Sequence, residues 1–271
     1  MTDTVLAVRD VVRDFGGGRS WLGRPRPHVR AVDGVSLEVP RGRTLGIVGE
    51  SGCGKSTLAR MMVGLLPPTS GEIDIDGRGI ADLARTDRRA LHRKVQMVFQ
   101  DPLGSLNPRK TVQQILEAPL RALHGLGRNA RRERVAELMS LVSLRVEFAE
   151  RYPHEFSGGQ SQRIGIARAL AADPEVIVLD EPVSALDVSV QAQVLMLLAD
   201  LQARLGLTYV FISHDLAVVE TISDEVAVMY FGRVVERGPR ARIFADPRHE
   251  YTRLLLASIP GARRRASRLD P

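Results

Sequence analysis

The segment GESGCGKST (49–57) carries the residue types needed to hold a row of phosphates. Gly49, Gly52 and Gly54 open backbone conformations closed to other residues, so successive N–H groups from Glu50, Ser51, Gly52 and Cys53 onward can turn toward one anion. A helix opening near Lys55 adds the positive end of its dipole. Lys55 reaches the β- and γ-phosphates, Ser56 offers a hydroxyl to Mg2+, and Thr57 helps hold the α-phosphate. The spacing G-x-x-x-x-G-K-[ST] lies between a strand-like run and a helix-like one, the setting in which it means nucleotide binding. It does not say what the nucleotide is for.

Two more clusters carry chemistry. VIVLDE (176–181) is four apolar residues followed by two acids. A buried strand ending at Asp180 puts a carboxylate at the carboxyl edge of a sheet, where ligands sit in open α/β folds. Asp180 can hold Mg2+ through its water, and Glu181 can polarise an attacking water as general base. In FSGGQSQR (156–163), Ser157, Gly158 and Gly159 precede a helix beginning near Gln160, a second hydroxyl and set of free N–H groups at a helix start. One nucleotide in one chain has no need of two such starts about 100 residues apart. Two chains, each supplying half of two sites, do need them.

A scaffold has to position these groups. VLAVRDVVRDF (5–15) and VSLEV (35–39) have partial period-two patterning and predict strands, with GGGRSWLGRPRPHVR (16–30) a loop on its Gly, Pro and Arg content. TLGIVG (44–49), EIDID (72–76) and VQMVF (95–99) predict further strands, and STLARMMVGLL (56–66) a helix that stops at Pro67-Pro68. From about 101 to 160 the apolar spacing is helical, with no strand between. Then follow helix 161–172, strand 176–180, helix 188–206, strand 208–213, helix 216–223, hairpin 225–238 and helix 251–259. Alternation of this kind predicts an α/β fold with a mostly parallel sheet covered by helices on both faces.

Composition narrows the class. The 271 residues carry net charge +6, with 44% hydrophobic and 26% charged residues, as in ordinary soluble domains and unlike disordered or collagen-like chains. No apolar run approaches the roughly 18 residues of a membrane-spanning helix. MTDTVLAVRD lacks the pattern of a secretory signal. Cys53, the one cysteine, excludes an internal disulfide, a thiolate zinc cluster and an iron–sulfur cluster. A cytosolic chain is expected. Of the 38 basic residues 35 are arginine, spread among acids, which reads as the mark of a GC-rich genome, so no nucleic-acid partner is expected. RRRASR (263–268) reads as a solvated tail, with contact to anionic lipid head groups the alternative. A thiol at a helix N-terminus is expected to have a lowered pKa, so Cys53 alkylation should block nucleotide binding.

With these residues in this order, the sequence resembles the ATP-binding-cassette (ABC) ATPases over nearly its whole length. Gln100 after a strand stands at the Q-loop glutamine, SALD (184–187) resembles the D-loop ending in Asp187, His214 in ISHD stands at the switch histidine, and Phe15 matches the aromatic that stacks on adenine. The resemblance implies a P-loop NTPase fold with a mostly parallel core, an antiparallel β subdomain and a helical subdomain insert. It implies a single ATPase domain over 1–271, with the core at 1–100 and 161–238, the helical subdomain at about 101–160 and a C-terminal extension at 239–271. Within the family, VRAVDGVSLEVPRGRTLGIVGESGCGKSTLAR (29–60), QMVFQDPLGSLNPRKTV (96–112), RYPHEFSGGQSQRIGIARAL (151–170) and HEYTRLLLASIP (249–260) look like the oligopeptide/dipeptide/nickel importer subgroup. Ser161 and Val183 stand where the pattern has Arg and Thr, a departure expected to bear on partner fit rather than hydrolysis.

The resemblance further implies ATP with Mg2+, the metal served by Ser56, Gln100 and Asp180. Two ATPase chains would pair head to tail, so that nucleotide held by Lys55, Ser56 and Thr57 of one is covered by Ser157, Gly158, Gly159 and Gln160 of the other. Glu181 would orient water, His214 contact the γ-phosphate and Gln100 sense metal and water. The implied partners are an identical or related ATPase, two transmembrane permease subunits and an external solute-binding protein. The implied place is the cytoplasmic face of the inner membrane, peripherally bound, and the implied role is energising uptake of peptides or a related small solute. The competing expectation is a soluble cassette ATPase accessory to a phosphonate-degrading carbon–phosphorus lyase complex.

Overall fold

Strands buried at every position need cover on both faces, and this requirement shapes the molecule. The computed structural model describes residues 3–16 and 28–258. Six strands form the central sheet, in the order β10-β9-β3-β8-β7-β6. They are β3 (Thr44–Val48), β6 (Val95–Val98), β7 (Val176–Asp180), β8 (Thr208–Ser213), β9 (Glu225–Tyr230) and β10 (Arg233–Pro239). All neighbours pair in parallel except the β9–β10 hairpin. Alternate side chains go to opposite faces, as strand geometry requires. Ile47, Val178, Val210 and Ile212 join one apolar cluster, while Val48, Ile177, Leu179 and Phe211 join the other.

The first cluster is closed by a second, antiparallel sheet of order β2-β1-β4-β5. It contains β1 (Thr4–Gly16), β2 (His28–Pro40), β4 (Ser70–Ile75) and the two-residue β5 (Arg78–Gly79). The β1–β2 ladder runs from Thr4 opposite Pro40 to Gly16 opposite His28. The loop expected over 16–30 is therefore shorter, because Asp14, Phe15 and Gly16 pair with residues 28–30. Residues 17–27 lie outside the described residues, as does the basic run 263–268. Helix α1 (Lys55–Met62) is packed between the two sheets through Leu58, Met61 and Met62. It ends four residues before the predicted end, where Gly64 takes a left-handed conformation (φ +72).

Helices α2 (Ile80–Thr86) and α3 (Arg88–Lys94) occupy a stretch for which the pattern predicted nothing. The all-helical stretch holds α4 (Val112–His124), α5 (Arg128–Leu141) and two short 3-10 turns. Leu116, Leu120, Leu138 and Met139 of α4 and α5 share the second apolar cluster with Ile164 of α6 (Gly158–Leu170) and Leu198 of α7 (Val188–Leu205). The last helices among the described residues are α8 (Leu216–Ile222), an unforeseen α9 (Arg240–Ala245) and α10 (Glu250–Ala257). Among the described residues, no helix is long and apolar enough to cross a membrane. Ser161 and Val183 are both buried inside this chain.

Candidate nucleotide-binding site

Parallel registers put the carboxyl ends of β3, β6, β7 and β8 on one edge, with Val48 opposite Ser213, Asp180 opposite Ile212 and Val98 opposite Leu179. The segments leaving those ends carry Gly49–Thr57, Gln100, Glu181 and His214. They meet in a cleft of about 680 Å³, a volume suited to a nucleotide. Residues 49–52 and 54–57 line it, with Gln100, Glu181 and His214 opposite, and Ala31, Leu255 and Ser258 at its margins.

Helix α1 begins without a side-chain cap, at Gly54 with φ +106. A Cβ there would run into the Ala31 carbonyl oxygen, so β2 lies too close for any other residue. The N–H groups of the first helical turn have no carbonyl one turn behind to accept them and stay available to an anion. Lys55 is buried, and its Nζ donates to the carbonyls of Gly49 (2.7 Å) and Glu50 (2.8 Å). A phosphate oxygen can replace either carbonyl.

Asp180 is 4% exposed and accepts a hydrogen bond from Ser56 Oγ (2.9 Å). Burial pushes its carboxyl pKa up and the Glu181 charge adds to this, while the Ser56 bond opposes it. A buried carboxylate penalised in this way suits a cation. Among the described residues no cluster of three His, Cys, Asp or Glu could hold a metal alone. Two oxygen donors, Ser56 and Asp180, instead suit a hard ion that keeps water and phosphate oxygens in its shell, as Mg2+ does.

Glu181 is the meeting point of the opposite wall. Gln100 Nε2 donates to its Oε2 at 3.1 Å, and His214 Nδ1 lies 3.1 Å from the same oxygen. Where the carboxylate is ionised it only accepts, and His214 then donates to it from Nδ1. The Glu181 backbone is left-handed (φ +48), a strained state for a residue with a Cβ. Its N–H donates to Ile212 O (2.9 Å), and its carbonyl accepts from the Ser184 hydroxyl (3.1 Å), which hold it there.

The remaining predicted residues fall outside the cleft. Cys53 sits behind the loop, and its N–H donates to the Glu50 carbonyl (3.3 Å). Burial pushes its thiol pKa up, and the neighbouring Lys55 does not reverse this. The expected lowering is thus overturned, because the helix-start argument left out desolvation. Native Cys53 should resist iodoacetamide at neutral pH and react fully once the chain is denatured; rapid stoichiometric labelling of the native chain would contradict this burial. Phe15 pairs with Val29, with the Arg13 guanidinium 4.7 Å above its ring, and does not line the cleft. Ser157 caps α6, its Oγ accepting the Gln160 N–H (3.4 Å) while Gln160 Oε1 accepts the Ser157 N–H (3.0 Å). Asp187 caps α7, accepting from Val190 N–H (3.0 Å) and Ser189 Oγ (2.7 Å). The start of α6 packs against that same segment, with Leu186 beside Gly158 and Val190 beside Gly159. The chain thus separates two groups, one around its own cleft and one around Ser157 and Asp187.

Some site residues gave no signal in the sequence. Ala31, Leu255 and Ser258 come from elements remote in the chain. Arg168 of α6 donates to the Ser105 carbonyl (2.5 Å), tying that helix to the segment after Gln100.

The family model described as ABC transporter matches residues 32–184, and the one described as the oligopeptide/dipeptide transporter C-terminal region matches residues 235–271. The chain belongs to the ABC transporter ATPase family. A putative peptide import ATP-binding protein of Brucella abortus is 55% identical to this ABC ATPase over 267 residues, covering 98% of the chain and 80% of the relative. The dipeptide transport ATP-binding protein DppF of Escherichia coli is 55% identical over 236 residues, covering 87% and 71%. The cassette MJ0796, solved as a dimer in a post-hydrolysis state with ADP and Pi, superposes with a TM-score of 0.76 at 30% identity, covering 87% of this chain and 98% of that one. The ABC ATPase fold, with its mostly parallel core, antiparallel sheet and helical segment, is that of this chain.

Proposed function

We propose that this ABC ATPase is the ATP-hydrolysing subunit of an importer that takes up peptides or a related small solute through a separate membrane permease. The observation that carries the hydrolytic part is Glu181, held by Gln100 and His214 across the cleft from the phosphate loop. The names of the relatives support peptide uptake and do not favour the phosphonate-complex alternative.

In this reading the loop N–H groups and Lys55 hold the phosphates of ATP, Lys55 exchanging its carbonyl partners for phosphate oxygens. Ser56 and Asp180, with Gln100 serving the same ion in this reading, would hold Mg2+, which would supply positive charge against the oxygens of the transferred group. Glu181 orients a water and receives its proton as the water oxygen bonds to the γ-phosphorus. The bond to the bridging oxygen breaks, and ADP departs with the electron pair. His214 and Gln100 hold Glu181 in place and meet the γ-phosphate side. The separate group around Ser157 and Asp187 supports a half-site design, in which a facing ATPase, a copy or a relative, is covered by this chain's Ser157–Gln160. ATP then favours the closed pair, and its hydrolysis releases it. Helices α4 and α5, as a helical subdomain, would pass this motion to the permease at the membrane surface, where an external solute-binding protein delivers the cargo.

The test separates the two halves. Ser157→Ala should leave ATP binding to the lone chain within about twofold while turnover of the paired enzyme falls at least about tenfold, more than the ~1 kcal/mol of a lost helix cap would explain. Full turnover by a strictly monomeric preparation, independent of protein concentration, would reject the paired site.

A further inference from the structure

We propose that Tyr251 is a positioning residue for nucleotide binding, setting the backbone of the phosphate loop through Glu50 and so making α10 part of the site. The inference rests on the nucleotide reading of the cleft. Both backbone groups of Glu50 are held from outside it. Its carbonyl accepts from Lys55 Nζ (2.8 Å) and, within the loop, from the Cys53 N–H (3.3 Å), and its N–H donates to the Tyr251 hydroxyl oxygen (3.1 Å), 201 residues away in sequence. The first bond is given up whenever Lys55 turns to a phosphate. The Tyr251 bond is independent of Lys55, so it still holds the loop when the lysine moves.

The hydroxyl is placed by a rigid arrangement. The Tyr251 ring is buried, with its centroid 4.0 Å from that of Tyr230, and Tyr230 meets Phe231 edge-on at 4.5 Å. Tyr230 ends β9, which pairs directly with β3, the strand that feeds the loop. The start of α10 is tied to the same hairpin by Glu236 of β10. Its carboxylate accepts the N–H groups of Arg248 and His249 (3.0 Å each) and pairs with Arg242 (2.9 Å). Burial alone would raise the Glu236 pKa, yet these bonds hold it down to about 2, so the anchor stays ionised at neutral pH. Tyr251, Leu255 and Ser258 recur at helical spacing on one face of α10 and its C-cap, and the latter two line the cleft.

Tyr251→Phe keeps the ring and removes only the hydroxyl, and with it the acceptor for the Glu50 N–H. ATP affinity of the full chain is measured by calorimetric titration, and KM and kcat for ATP on the transporter assembled with its partners. The expected result is a Kd and a KM raised about five- to tenfold, the scale of one hydrogen bond whose donor is left unpaired, with kcat within about twofold and a melting temperature lowered by no more than about 4 °C. Arg253→Ala, exposed on the same helix and outside the cleft, should change none of these. Equal Kd and KM for wild type and Tyr251→Phe, beside a wild type that binds ATP, overturns this inference alone. So does a joint fall of kcat and melting temperature at constant KM, the mark of a merely structural role. A wild-type chain that fails to bind ATP overturns the nucleotide reading itself, and this inference with it.

Discussion

Replacing Glu181 with glutamine will leave ATP bound and unspent. The amide has the size of the carboxylate, and its oxygen can still accept from Gln100 Nε2 and His214 Nδ1, which both converge on Glu181 Oε2. Glutamine is no more tolerant of the left-handed backbone at 181 than glutamate is, so the strain there is unchanged. What is lost is a basic oxygen able to take a proton from water. Turnover should fall about 10²- to 10⁴-fold, the usual contribution of a positioned general base. ATP affinity should stay within about threefold, since no loop group is altered. Phosphate release and equilibrium ATP binding check the two halves, and sedimentation with ATP should show longer-lived pairs. Turnover within twofold of wild type would remove Glu181 from the role of base.

Gly54→Ala should damage ATP binding severely. The position has φ +106, and a Cβ there would overlap the Ala31 carbonyl oxygen, part of a backbone that cannot rotate away. Left-handed strain and overpacking together amount to about 2–5 kcal/mol. The start of α1 must shift to relieve this, and the N–H groups meant for phosphate shift with it. A hundredfold loss of ATP affinity corresponds to about 2.7 kcal/mol, within that range. The fold should survive, because α1 stays packed through Leu58, Met61 and Met62 between two sheets. Gly34→Ala is the control. It has φ +65 with nothing near the added carbon, so it should lower stability by about 1 kcal/mol and leave ATP affinity alone. Titration calorimetry and circular dichroism check both variants. Normal ATP affinity in Gly54→Ala would mean that the β2 contact does not shape the loop.

Much of the fold was legible because its strongest signals are contiguous. Glycine, lysine and hydroxyl at fixed spacing between a strand and a helix make the phosphate loop from nine neighbouring residues. VIVLD and TYVFIS read as buried strands because helices on both faces leave them no polar side. Short elements were not legible. α3, RRALHRK, buries only Leu91, and one buried residue makes no period. Residues 28–30 carry no strand pattern, being exposed, and are strand only because residues 14–16 pair with them.

Unaided, the order of residues determined the family, the phosphate loop and the identity of Asp180, Glu181, Gln100 and His214 as chemical groups, since each depends on near neighbours along the chain. Only the tertiary structure decided that Gln100 and His214 share one oxygen of Glu181, that Cys53 is too buried for a lowered pKa, that Ser157 and Asp187 stand outside their own chain's cleft, and that Tyr251 reaches Glu50. Each of these is a matter of hydrogen bonding or desolvation between segments distant in sequence. Such contacts depend on where the folded sheets and helices place their atoms, and local spacing carries no record of that.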